Sequence, residues 1–175
     1  DQAARKLIAE FGEERARKAA MIYRIIMDKH ACLNPNSHRA FGLDWDQMDD
    51  LMENSPPLIG DLRLIHMCSQ SDGACAVIFT CEDKVKKAAK PPVWVRDHIT
   101  VHREETLNLC NNYYPNDTTH QFAAEQLYGR NNIDNPLEYF DVFEMYDPSA
   151  WWGLDWLRDF FLLKEDEHIR LVDRK

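Results

Sequence analysis

Two polar turns, far apart along the chain, carry the residues best suited to chemistry. The first opens the segment Ser69 to Thr80, the second lies within Phe140 to Trp151. Each joins polar residues to a stretch that reads as buried, and sites are commonly built at such joins because the packed element holds the backbone still. Tyr146 stands where a strand gives way to a helix, with Asp147 and Pro148 fixing the turn. A phenol there can donate to a carbonyl or enolate oxygen, or relay a proton. The alternative is a tyrosine packed on the core with its hydroxyl bonded to backbone. Ser69, Ser71, Asp72 and Gly73 form the other turn, where Asp-Gly is also ordinary turn chemistry before a strand. Trp151, Trp152, Trp156, Phe160 and Phe161 read as core or dimer interface, or as a wall for a bulky apolar group.

Other chemistries lose ground on spacing. His98 and His102 are four apart, which suits zinc on a helix, but their segment reads as a strand, where four residues span about 13 Å. No metal site is expected. The chain has no Gly-x-Gly-x-x-Gly or phosphate-binding P-loop and no Gly-x-Ser-x-Gly elbow, so dinucleotide, kinase and serine-hydrolase readings lack their motifs. The five cysteines, Cys32, Cys68, Cys75, Cys81 and Cys110, include no Cys-x-x-Cys pair. An odd count in 175 residues is not a disulfide framework and fits a reducing cytoplasm. Cys75, inside an apolar run, reads as a small buried side chain.

The 45% hydrophobic and 11% aromatic content is that of a globular protein. A net charge of −9 argues against nucleic acid, because the basic residues are interleaved with acidic ones. The densest basic stretch, Lys84 to Lys90, reads as a solvated helix face or an attractor for a phosphate-bearing ligand. No apolar run is long enough for a transmembrane helix. The start at Asp1, without initiator Met or signal peptide, suggests a processed chain or part of one.

The elements that must position these groups follow from periodicity and caps. Residues 3–11 and 13–29 read as helices broken at Gly12, the second with Ala19, Ile22 and Ile26 inward and Arg15, Arg17, Lys18 and Arg24 toward water. A loop from Ala31 to Leu43 leads to Asp44, which can cap a helix from Trp45 to Glu53 ended by Ser55-Pro56-Pro57. Ala74 to Phe79 predicts a strand covered on both faces, Glu82 to Ala89 a short helix, and Val93 to Val101 an alternating strand. A helix from Thr118 to Tyr128, capped by Asp117 and closed by Gly129, precedes a strand from Tyr139 to Met145. Asp147-Pro148 then starts an apolar helix over Ser149 to Phe161. This order predicts an α/β sandwich with a mainly internal sheet.

Taken together, several segments resemble the thiolase superfamily, in particular its sterol-carrier-protein-x branch. Ile8 to Gly12 before a helix is similar to the start of that family's loop domain, and Leu33-Asn34-Pro35-Asn36 to its Asn-Pro turn. Asp61-Leu62-Arg63-Leu64, then Ser71-Asp72-Gly73-Ala74 and an apolar run, resemble its Asp-Leu-Arg-Leu and Ser-Asp-Gly-Ala stretch. Phe140 to Trp151 resembles the strand and turn that carry its His-Asp-Cys-Phe or Asn-Glu-Ala-Phe motif, with Tyr146 in the His or Asn place.

The resemblance implies a thiolase-like layered αβαβα fold, seen in part. Residues 1–66 would be a loop-domain-like helical region, 67–90 the last strand and helix of the N-terminal half, and 91–175 the start of the C-terminal half. It implies coenzyme A as substrate, no covalently bound cofactor, no metal, and acyl transfer that makes or cleaves a carbon–carbon bond of an acyl-CoA. Tyr146 would be the catalytic residue; Ser69, Ser71, Asp72 and Gly73 would lie along the pantetheine arm. The family's nucleophilic Cys, Gly-His-Pro loop and second Cys have no match in these residues, as expected of the central portion of a longer protein. Tyrosine at this place resembles thiolase-like retro-aldol lyases acting on steroid side-chain thioesters, and subunits acting on aryl-acyl substrates. A bulky acyl group, a homodimer and a zinc-ribbon/OB-fold partner subunit are implied in turn; a non-catalytic scaffold subunit is the remaining alternative.

Overall fold

Close packing of short side chains around one helix organises this chain. A computed structural model describes residues 2–85, 90–102 and 119–173. Helix α1 (Gln2–Phe11) meets α2 (Glu13–Cys32) at Gly12, whose φ of 84° lies in the left-handed region that glycine enters without steric cost. That single residue reverses the chain and lays the two helices together. Ala3, Ala4 and Leu7 of α1 face Ala16, Ala19, Ala20 and Tyr23 of α2, all buried. The inward row of α2 therefore includes Ala16 and Tyr23, while the expected Ile22 and Ile26 are only partly buried at its edge.

Asp44 caps α3 (Trp45–Asn54) in a reciprocal box with Gln47, as its position suggested. Beyond it, β1 (Pro57–Ile59) and β2 (Leu62–Arg63) form a small antiparallel hairpin where a plain chain break was expected. A one-turn 3-10 helix, Leu64–His66, follows. Helix α4 (Glu82–Val85) lies at the start of the expected helix, and residues 86–89 lie outside the described residues.

Helix α5 (Thr119–Asn131) passes through Gly129 instead of ending there; the expected cap Asp117 lies outside the described residues. Its end is a Schellman turn, with Asn132 at φ 54° and the Ile133 N–H bonded to the Tyr128 carbonyl at 3.0 Å. Helix α6 (Pro136–Tyr139) leads by an extended segment to α7 (Ala150–Phe160), and α8 (Glu167–Asp173) closes the described chain. Ser149 caps α7, its hydroxyl accepting from the Trp152 N–H; the expected cap, Asp147, is engaged elsewhere. Helix α2 packs against α1, α3, α7 and α8, with α5 outboard on α7. Trp151 and Leu154 of α7 complete the core, and Lys6 ties α1 to Asp155 of α7 at 2.8 Å.

Three expected strands are not formed. The stretch 74–79 has no regular secondary structure and is exposed, with Ile78 at 92%, so Cys75 is exposed rather than buried. Val93 to Val101 is likewise irregular, with Val93, Trp94 and Val95 exposed, and the 139–145 stretch begins in α6 and continues without ladder bonds. The reason is that a strand takes its hydrogen bonds from a neighbour, and none of these runs finds one among the described residues. The described residues thus form a mixed helix and small-sheet structure, compatible with the α/β class, without the layered sheet of the expected fold. No helix of the described residues is long and apolar enough to cross a membrane.

Candidate functional site

The two polar turns that the sequence singles out meet. Met67 and Ser149 form an antiparallel bridge, and the Cys68 N–H donates to the Pro148 carbonyl at 3.1 Å. This junction lies over α2, and beside it opens a cavity of about 440 Å³. Its walls come from α2 (Tyr23, Arg24, Met27, His30, Ala31), the following loop (Asn34, Ser37, Arg39), the segment 66–69, and Glu144, Asp147 and Ala150. A space of this size suits part of a small-molecule ligand, and its walls mix apolar and polar groups as ligand cavities do.

Each polar wall residue is placed by a local cause. Arg24 and Asp28 continue the row that starts with the buried Ala16 and Ala20, at a spacing of four, so the helix that buries its alanines carries both charges inward. The Arg24 Nε donates to the Ile65 carbonyl at 3.2 Å. Asp28, fully buried, accepts the N–H groups of Phe41 at 2.9 Å and Leu43 at 2.8 Å, folding the loop back over α2. That loop delivers Arg39, which donates to the Met67 carbonyl at 2.5 Å. The two guanidiniums are thus moored to alternate carbonyls of one short segment. Burial lowers the Arg24 pKa, and the charge of Arg39 lowers it further. Among the described residues neither arginine has a carboxylate within ion-pair distance.

His66 is buried at the end of the 3-10 turn. Its Nδ1 accepts from the Arg63 N–H at 3.0 Å and the Trp151 indole N–H at 3.2 Å. Two donors on one ring nitrogen assign the proton to Nε2, which has no hydrogen-bond partner among the described residues. Burial, then the charges of Arg17, Arg63 and Arg24, push the imidazole pKa down to about 4, so the ring is a neutral N–H donor near neutral pH. Across the cavity, the Tyr23 hydroxyl donates to Asp147 Oδ2 at 2.9 Å. Burial raises the pKa of the phenol, with the Asp147 charge adding to it. It raises that of the Asp147 carboxyl too, while the Tyr23 hydrogen bond and the Arg24 charge pull the other way.

Of the five expected site residues, Ser69 alone borders the cavity. Ser71, Asp72 and Gly73 are exposed and lie outside its walls. Tyr146 is 74% exposed, neither packed on the core nor bonded to backbone, with its ring centroid 6.3 Å from that of Trp156. Its neighbour Asp147 is the cavity residue instead. Tyr23, Arg24, Arg39 and His66 carried no motif signal; the four-residue spacing of Arg24 and Asp28 from the inward alanines was the one clue, and it contradicts the wet-side placement of Arg24. Among the described residues no group of three His, Cys, Asp or Glu side chains could hold a metal. Cys32, Cys68, Cys75 and Cys81 are exposed free thiols; Cys110 lies outside the described residues.

With this geometry in view, the chain is similar to an acetyl-CoA acetyltransferase of Methanocaldococcus jannaschii, 28% identical over 163 residues. The match covers 88% of this chain and 38% of that protein, so the chain spans well under half the length of the relative. No family model matches the chain, and no solved structure matches it. The likeness supports a thiolase-type relationship across most of the sequence.

Proposed function

We propose that this chain is part of a thiolase-type acyltransferase and forms one wall of its acyl-CoA site. The observation that carries the reading is the meeting of the 67–69 and 147–149 segments over α2, in a chain similar along most of its length to an acetyl-CoA acetyltransferase. Coenzyme A is the proposed co-substrate, and the thioester arm would run past Ser69 and along the turn of Ser71, Asp72 and Gly73. In such a reaction a thiolate adds to the ketone carbon of a 3-ketoacyl thioester. The bond between the α and β carbons then breaks, its electron pair passes to the α carbon as an enolate, and a proton completes the product. The acyl group leaves the thiolate for coenzyme A. No cysteine of this chain is assigned as that nucleophile.

Tyr146 is the proposed donor to the reacting oxygen. Its hydroxyl makes no hydrogen bond among the described residues, and the adjacent ring of Trp156, with Trp152 and Phe160, offers a half-buried aromatic surface suited to a bulky aryl or steroid-type acyl group. A retro-aldol lyase on a coenzyme A thioester is the second reading, favoured by tyrosine where the resembling motif has His or Asn. A homodimer and a zinc-ribbon/OB-fold subunit remain proposals tied to the same resemblance.

The test is turnover by the native polypeptide that contains this chain. Acetoacetyl-CoA and a bulkier 3-ketoacyl-CoA are each incubated with coenzyme A, and thioester products are separated by chromatography. Two new thioesters from either substrate support the acyltransferase. A free aldehyde or ketone from a 3-hydroxyacyl-CoA, with no dependence on coenzyme A, supports the lyase. No turnover of any thioester, and no change on replacing Tyr146, would leave only the scaffold role and defeat both.

A further inference from the structure

Two arginines of the α2 cavity wall have no carboxylate within ion-pair distance among the described residues. Arg24 and Arg39 enter from different segments, each spends one N–H on a backbone carbonyl of residues 65–67, and each keeps further guanidinium N–H groups. The charge of Arg39 disfavours that of Arg24, and Asp28 and Asp147 offset this through space, with no ion pair to either arginine among the described residues. Glu144 and Asp147 also line the cavity, and Asp28 lies one turn along α2 from Arg24, but none is within ion-pair distance of either arginine. Asp147 is bonded to Tyr23, Glu144 is exposed to water, and Asp28 spends both oxygens on the backbone of residues 41 and 43. His30 and Cys68, both exposed, and the buried His66 are the remaining titratable wall groups.

We propose that this cavity recognises an oxyanion group of the ligand, a phosphate or a carboxylate, held by the guanidiniums of Arg24 and Arg39. Planar guanidiniums suit either group, because both present paired oxygens to the fork of N–H donors. The inference deepens the acyl-CoA reading and rests on it for the ligand's identity. On a coenzyme A thioester the anion is either a nucleotide phosphate or a second carboxylate at the far end of the acyl group.

The experiment measures binding by calorimetry to the native polypeptide, with no turnover read. The probes are inorganic phosphate, acetyl-CoA, acetyl-pantetheine (which lacks phosphate) and succinyl-CoA (which adds a carboxylate). A phosphate site predicts that Arg24→Gln and Arg39→Gln each weaken acetyl-CoA by about tenfold or more, with acetyl-pantetheine unaffected. A carboxylate site predicts that wild type prefers succinyl-CoA to acetyl-CoA by a similar factor and that both variants lose the preference. Binding of inorganic phosphate that the variants abolish supports an oxyanion site even if no thioester is bound, which would sink the acyl-CoA reading alone. Wild-type affinity for all four probes in folded variants, or no binding of any anion by wild type, overturns the proposal. Arg39→Gln, in a loop, keeps the test open should Arg24→Gln fail to fold.

Discussion

The hydroxyl of Tyr23 on α2 donates to the carboxylate of Asp147, just ahead of α7, at 2.9 Å. This bond clamps the junction of the two polar turns onto the central helix. Removing it by Tyr23→Phe leaves Asp147 desolvated without its donor, and the expected loss is about 1–3 kcal/mol of unfolding free energy. Denaturant titration of the variant checks this. An unchanged midpoint would mean that water replaces the phenol at no cost.

Gly153 sits against the same tyrosine. A Cβ placed there would lie 2.4 Å from both Cζ and the hydroxyl oxygen of Tyr23. Helix propensity alone favours alanine over glycine by about 1 kcal/mol, yet the ring fills the space. Gly153→Ala is expected to destabilise the protein by about 1–3 kcal/mol, the ordinary range for overpacking. In combination with Tyr23→Ala, which vacates the space, the same substitution should cost much less. A double-mutant cycle measured by thermal melting reads the coupling.

Asp28 is the post to which the arginine-bearing loop is tied. Asp28→Ala frees the N–H groups of residues 41 and 43 and should cost about 3 kcal/mol. It should also weaken anion binding in the cavity, because Arg39 loses its mooring. Asp28→Asn, which keeps one oxygen, should fall between. Loss of stability with full anion affinity would separate the loop from the site.

His168 of α8 is fully buried, with its ring edge-on to Phe11 at 5.4 Å between centroids and both nitrogens without hydrogen-bond partners among the described residues. Burial, with Arg158 next, pushes its pKa down to about 4, against about 6.5 in an unfolded chain. Between these values the unfolded state binds the proton and the folded state does not. The contribution is therefore complete above about pH 6.5 and is lost as pH falls toward 4. Asp159, raised to about 6 chiefly by burial, works in the opposite direction over nearly the same window. The clean readout is a difference: relative to wild type, His168→Leu should gain melting temperature steadily from pH 6.5 down to 4. A pH-independent difference would show that His168 protonates in the folded state.

Tyr146 is the proposed catalytic residue. Because its side chain is 74% exposed and takes no part in the core, Tyr146→Phe should leave the melting temperature within a degree or two. If it donates to the reacting oxygen, kcat should fall about 100-fold with little change in KM. Equal rates for the two proteins would end its candidacy.

What the chain determined by itself is its local helical grammar. Gly12 separates two helices, Asp44 with Gln47 starts α3, and the apolar run after residue 148 is the buried α7. These were legible because a helix closes its hydrogen bonds within a few residues, so its caps and its burial stripe are written beside it. The apolar runs at 74–79 and 93–101 were read as strands on the same local terms. Their pairing, however, depends on a neighbour that periodicity does not name. The cavity was equally hidden. Arg24, Arg39, His66, Tyr23 and Asp147 come from four separate places, and only the packing of α7 on α2, with Asp28 drawing the loop back, sets them around one space. Of the five predicted site residues, Ser69 reached that wall while Tyr146 stayed exposed, because the segment ahead of α7 presents Asp147, its neighbour, to Tyr23 of α2.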